Sequence, residues 1–253
     1  MKKLIVILLS GWFVAINSSE IKAETPSKSN EQALVNKILL MKKEQKRASF
    51  SLLNKDTLKM DGYIQEGSYN DYLKVINNSI KTLIVNSGGG DTNNGVKIGM
   101  DIFKRNLTIV VEGIAMSSAA NYIFLAGKKK IIKTGAVGFH GNAQATNRKT
   151  SFDSLKKELQ SKYKITDENF NQIKNQFIET EELEKKFYNE IGISQKFFDM
   201  TQEDGKGLES KLNFDFDFLI PSTATMEKFG IKNVEGKSDI NFTEELGIKV
   251  IYF

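Results

Sequence analysis

Cysteine is missing from all 253 residues, and proline (2), tryptophan (1) and histidine (1) are nearly so. Without cysteine there is no disulfide, no thiol nucleophile and no lipid-bearing cysteine anchor. This is compatible with an oxidising compartment and does not require one. With so little proline and no low-complexity run, the chain does not read as disordered, and its 40% hydrophobic content suffices for one substantial core. The single histidine, His140, is the one imidazole able to take a proton from a hydroxyl near neutral pH.

Charge of one sign is also scarce. The formal net charge is +5, and residues 1–23, with Lys2, Lys3, Lys22 and Glu20, account for two of those positive charges, which leaves +3. So small and evenly mixed an excess gives no argument for nucleic acid. Lys128-Lys129-Lys130 reads as a solvated turn.

What is present at the N-terminus is a leader pattern. Lys2-Lys3 precede an apolar run from Leu4 to Ile16, broken only by Ser10 and Gly11, and Ile21-Lys22-Ala23 offers a small residue for cleavage. The run falls short of the roughly 20 residues a membrane-spanning helix needs. The expectation is a signal peptide over 1–23, export to the periplasm or beyond, and no stable membrane anchor afterwards.

Residues 24–56 read as a lead-in, with an amphipathic helix over Glu31 to Arg47. From Leu58 to Gly141 the pattern alternates. Strands are expected at Leu58–Ile64, Thr82–Val85, Leu107–Val111, Lys130–Lys133 and Ala136–Phe139, and helices at Tyr69–Ile80, Asn93–Lys104 and Ser118–Ala126. Such alternation implies βαβ crossovers and a mainly parallel sheet, an α/β fold. Residues 151–206 are charged and helical in period, which suggests a helical insertion or an ordinary helical layer within a domain spanning 57–253. A last helix is expected from Ser222 to Phe229, closed by Gly230. No internal repeat is found.

Two stretches carry chemistry. Asn86-Ser87-Gly88-Gly89-Gly90 ends a strand in residues without side chains, so backbone N–H groups can approach an anionic oxygen closely. A plain tight turn fits the same residues, whereas the phosphate-loop and dinucleotide spacings are not met. The second stretch is Ser117-Ser118 among small residues at a strand-to-helix junction. A serine there can be a helix N-cap or, beside an imidazole, a nucleophile.

The order and spacing of these residues resemble the Clp/crotonase superfamily, particularly the proteolytic subunit of the Clp protease and exported relatives such as signal peptide peptidase A. The family's strand ending Asn-Ser-Pro-Gly-Gly is matched by Asn86 to Gly90, with Gly88 in place of proline. Its nucleophile lies nine residues before the glycine of an Ala-Gly pair. Counting back from Gly127 lands on Ser118 and not on Ser117. The family histidine is matched by His140, although the Gln-Pro that follows it becomes Gly141-Asn142, and a later helix by Ser222 to Ile231.

The resemblance implies a repeated ββα spiral core and a serine peptidase acting on peptides or unfolded segments, without metal or organic cofactor. It implies Ser118, His140 and Asp217 (Asp215 in reserve) as catalytic residues, with the N–H groups of Gly89 and Ala119 as oxyanion donors. It also implies homo-oligomers. Signal peptide peptidases use a serine–lysine pair, so Lys156 or Lys157 is the alternative base. A non-catalytic binding protein of the same fold is the other alternative.

Overall fold

The computed structural model describes residues 28–145, 151–201 and 217–252. The expected signal peptide and Asp215 lie outside them. The chain is mixed α/β, as its alternating pattern indicates. Helix α1 (Lys28–Glu44) leads into strands β1 (Ser49–Leu52) and β2 (Thr57–Asp61), α2 (Ser68–Leu73), β3 (Thr82–Ser87), α3 (Thr92–Arg105) and β4 (Thr108–Met116). A π-helical segment, Ala119–Phe124, connects β4 to β5 (Lys129–Gly138). Then follow α4 (Phe152–Tyr163), α5 (Asp167–Ile191), β6 (Phe218–Ile220), α6 (Thr223–Lys228), β7 (Val234–Gly236), α7 (Ile240–Glu245) and β8 (Val250–Tyr252).

The main sheet has the order β1-β2-β3-β4-β5-β7. Only β1 runs antiparallel to its neighbour, and β6 and β8 form a separate parallel pair. Strand β1 was not expected. It carries the sequence SFSL on an exposed edge, where little apolar alternation is needed. Helix α2 stops at Leu73, short of the expected Ile80. Asn77 Oδ1 accepts from the Ser79 amide at 2.9 Å and Ser79 Oγ donates to Lys55 O at 2.7 Å, a local turn that competes with the helix.

Strands β4 and β5 do most to position the site. Each alternates between buried and partly exposed residues in its first half, and each ends in four buried residues. The first half faces solvent on one side, where Lys133 pairs with Glu112 at 2.8 Å. The second half is covered on both faces. One apolar cluster joins Val111, Ala115 and Val137 to the helices α2, α3 and α5, and another joins Ile114, Met116 and Ala136 to Val35 and Ile38 of α1 and Phe242 of α7. The change occurs at a bulge. Val111 pairs with Ile132 but Glu112 with Thr134, so Lys133 is extra, and Gly113 (φ +119°) and Gly135 (φ +96°) follow it. The two strands expected at Lys130–Lys133 and Ala136–Phe139 are therefore one strand running through this bulge.

Helix α3 shows why its sequence is helical. Asp91 caps it by accepting from Asn94 N at 2.8 Å, Arg105 pairs with Asp101 one turn earlier, and Asn106 closes it at φ +55°. Gly99 lets the helical insertion lie close, since a Cβ there would stand 3.1 Å from the Phe187 ring of α5. None of the described helices is long and apolar enough to cross a membrane.

At the start of β5, Lys130 is buried and donates to Gly127 O (2.7 Å) and Lys232 O (3.1 Å). Desolvation lowers its pKa to about 8. Above that pH the unfolded chain still holds a proton that the folded chain has lost, so stability rises with pH. The gain is at most about 1.4 kcal/mol per pH unit, until tyrosine ionisation near pH ~10 in the unfolded chain opposes it. In thermal scans the wild-type Tm is expected to climb between about pH 8 and 9.5, whereas Lys130→Met should show no such slope.

Candidate active site

The parallel register of β4 and β5 pairs Met116 with Gly138, so the chain leaves both strands at the same height. Ser117 N donates to Gly138 O at 3.2 Å, and two residues further His140 turns its ring back over the serine. His140 Nε2 and Ser117 Oγ lie 2.7 Å apart. This is the carboxyl end of a parallel sheet, where open α/β sheets form crevices.

Ser117 itself has φ +53°. A side chain in the left-handed region costs roughly 1 kcal/mol or more, and the cost is borne where the surrounding structure fixes it. Here the strand before it and the π-helical segment after it, with Asn121 N donating to Ser117 O at 2.8 Å, hold it in this conformation. The result is a sharp strand-to-helix turn that projects the hydroxyl.

His140 is exposed at its outer edge and packed within against the Phe218 ring, centroid to centroid 5.5 Å. Burial of the inner side lowers its pKa, and a hydrogen bond with its own backbone offsets part of that. The ring is therefore neutral at pH 7, the form that can accept a proton from Ser117.

The expected pairing of His140 with Ser118 is not what the structure shows. Ser118 Oγ donates to Gly90 O at 2.7 Å and ties the glycine turn to the start of the helical segment. It makes no side-chain cap either. The physical reason is the π-helix. Leu125 N bonds Ala120 O, five residues back, and a π turn absorbs one residue more than an α turn. Ser117 is thus ten residues from Gly127 while reaching the place that nine residues would reach through a regular helix.

Gly89 stands where it was expected, against the serine. A Cβ on it would lie 2.6 Å from Ser117 Cβ and 2.8 Å from Ser118 N, at φ +86°. Its N–H donates to Ser87 Oγ at 3.2 Å, a long bond that a better acceptor can replace. Because the ring meets Ser117, the amide after the nucleophile is that of Ser118 and not that of Ala119.

Asp217 does not meet the histidine. Its Oδ2 accepts from Lys249 N at 3.0 Å, between β6 and β8. Phe139 and Leu219 form an antiparallel bridge with reciprocal bonds of 2.8 Å, which sets Phe218, not Asp217, opposite His140. Lys156 is bound to Asp167 at 2.9 Å, and Lys157 is exposed on the same helix, α4. Among the described residues no group of three or more His, Asp or Glu is arranged to hold a metal ion.

Sequence reasoning missed the polar groups behind the dyad. Glu184 of α5 is wholly buried and accepts from the Tyr122 hydroxyl, from Ala143 N (3.3 Å) and from Gln144 N (3.2 Å). Asn121 Nδ2 donates to Gly141 O at 2.8 Å. A signal existed, for Glu184 shares the buried stripe of α5 with Phe187 and Tyr188, three and four residues on, where a carboxylate is out of place. A separate cavity of about 240 Å³, lined by Phe103, Lys130, Ile193 and Lys232 among others, lies at the opposite end of β5.

No family model matches the chain, and neither does any curated protein. Solved structures do. A ClpP1 mutant from Listeria monocytogenes is 16% identical over 85% of this chain and 88% of its own, with a TM-score of 0.33. A probable enoyl-CoA hydratase/isomerase from Mycobacterium abscessus is 7% identical over 40% of this chain and 50% of its own, at 0.29. A structure from a dehydratase/decarboxylase couple of polyketide beta-branching is 7% identical over 37% and 53%, at 0.28. The chain spans about half the length of these last two. The neighbours are Clp and crotonase folds, α/β like this one. Such likenesses are slight and bear on the fold alone.

Proposed function

We propose that this protein is an exported serine hydrolase that cleaves peptides or unfolded segments, with Ser117 as nucleophile and His140 as general base. One observation carries the reading. A hydroxyl on a left-handed serine lies 2.7 Å from Nε2 of the chain's single imidazole. The glycine turn and histidine strand, which resemble those of Clp peptidases, direct it to peptide substrates, and the N-terminal leader pattern directs it to the periplasm or the medium. Self-association into rings belongs to the same reading.

In the proposed reaction Ser117 Oγ attacks the substrate carbonyl as its proton passes to His140 Nε2. The N–H groups of Gly89 and Ser118 receive the oxyanion. The imidazolium is steadied by the Phe218 ring beside it. It then returns the proton to the leaving amine, and water deacylates the serine by the reverse path. No step calls on a metal or organic cofactor.

The test is labelling of the mature protein with a fluorophosphonate followed by peptide mapping. Label is expected on Ser117 and is expected to vanish in His140→Ala, whereas an unlabelled wild-type protein would favour a non-catalytic binder. The rate should rise with pH as His140 loses its proton, with a midpoint below the ordinary imidazole value of about 6.5 because burial lowers this pKa. A midpoint above that value would contradict the assignment of the base.

A further inference from the structure

We propose that Glu184 is a positioning residue for His140, so that the helical insertion is a working part of the site and not an appendage. The inference rests on the reading of Ser117 and His140 as the reacting pair. A serine–histidine pair needs something to hold the ring, and the usual device is a carboxylate on its far nitrogen. Among the described residues His140 bonds Ser117 and its own backbone, and no carboxylate is hydrogen-bonded to its ring, while Asp217 is engaged at Lys249. What is held instead is the backbone on either side of the reacting groups.

One carboxylate makes both attachments. Tyr122, five residues after Ser117, donates its hydroxyl to Glu184 Oε1. Ala143 and Gln144, three and four residues after His140, donate their amides to Oε1 and Oε2. Asn121 adds a direct tie from the same helical segment to Gly141 O. Asn142 and Gln195 complete the set with a reciprocal amide pair at 3.2 and 3.0 Å. The segment 141–144 is thus bound at each residue, through side chain or backbone, to the π-helical segment or to the helical insertion and the residues after it.

Burial raises the Glu184 pKa, the three donors offset part of that, and the Glu181 carboxylate adds to the rise. The three groups hydrogen-bonded to it all donate. Burying a carboxylate costs several kcal/mol, and here the cost is offset by three donors, the Tyr122 hydroxyl and the amides of Ala143 and Gln144, which would be left without an acceptor if Glu184 alone were replaced. The same three bonds fix the backbone on either side of the reacting pair.

The lone histidine makes the test direct, because in tag-free protein all imidazole resonances belong to His140. Wild-type protein is expected to show one set of ring signals and a lowered pKa. In Glu184→Gln, which keeps the volume but turns an NH₂ toward the amides, the His140 pKa should move up toward its ordinary value. Fluorophosphonate inactivation should lose about tenfold or more in its maximal rate, with the half-saturating probe concentration little changed. A folded variant with wild-type His140 titration and wild-type maximal rate would overturn the proposal. If Glu184→Gln does not fold, Tyr122→Phe, which removes the tie to the π-helical segment and leaves both amide bonds to Glu184 in place, carries the same comparison. Absence of labelling in the wild type would remove the hydrolase reading, while the ring titration would still decide the role of Glu184.

Discussion

Ser117→Ala is expected to reduce peptide hydrolysis and fluorophosphonate labelling by at least about 10³-fold, to the level left when a nucleophile is removed from a serine hydrolase. Ser118→Ala is expected to retain labelling within about tenfold, because its backbone N–H survives and only the bond from Oγ to Gly90 O is lost. That bond is worth about 1 kcal/mol, so Ser118→Ala should melt a few degrees lower while Ser117→Ala should not. Ser117→Ala keeps a left-handed residue and a Cβ, and its hydroxyl faces a ring at the surface. Intact-mass measurement after labelling separates the two variants in one experiment. Label retained in Ser117→Ala and lost in Ser118→Ala would return the nucleophile to the position counted from the sequence.

A second large effect is expected at the bulge. A Cβ on Gly135 would lie 1.8 Å from the Gly113 carbonyl oxygen, and Gly135 has φ +96°. Neither backbone can retreat. Gly135 pairs with Gly113 in the sheet, Gly135 O accepts from Asp239 N at 2.8 Å, and Gly113 is pressed against Asn86 Oδ1, itself bonded to Ile114 N. Gly135→Ala should therefore cost about 4 kcal/mol or more in urea unfolding, the range reserved for strained and overpacked sites. Gly192→Ala is the control. It shares a positive φ, +72°, but nothing stands within 4 Å of the new methyl, so only the conformational cost of about 1 kcal/mol applies. Equal losses in the two would show that the clash at Gly135 is relieved by movement of the strands.

The parallel core was legible because short apolar stretches of β3, β4 and β5 alternate with helical segments, and because α3 carries its own cap and ion pair. Strand β1 was not legible, since an exposed edge needs no alternation. The site was legible only in part. Gly89 and His140 were found from the glycine turn and from the scarcity of imidazole. The choice between Ser117 and Ser118 turned on how many residues the following helix consumes per turn, and nothing in Ala119 to Phe124 announces a π-helix. Asp217 was sought from the order of family motifs, but an antiparallel bridge between Phe139 and Leu219 alternates side chains and turns the aromatic neighbour toward the ring. Glu184 sat within a segment read by period as helical, where a single acid among many gave little sign of being buried.

The bonds that hold residues 141–144 have a consequence for how the molecule comes into being. Serine and histidine both belong to the first 140 residues, yet Glu184, Gln195 and the Leu219 strand all emerge from the ribosome after them, since synthesis runs from the N-terminus. A half-made chain carries its reactive hydroxyl and its imidazole without the means to hold them in register. The geometry of the site is complete only with the last third of the polypeptide, so any activity the proposed pair confers would be withheld until the molecule is finished.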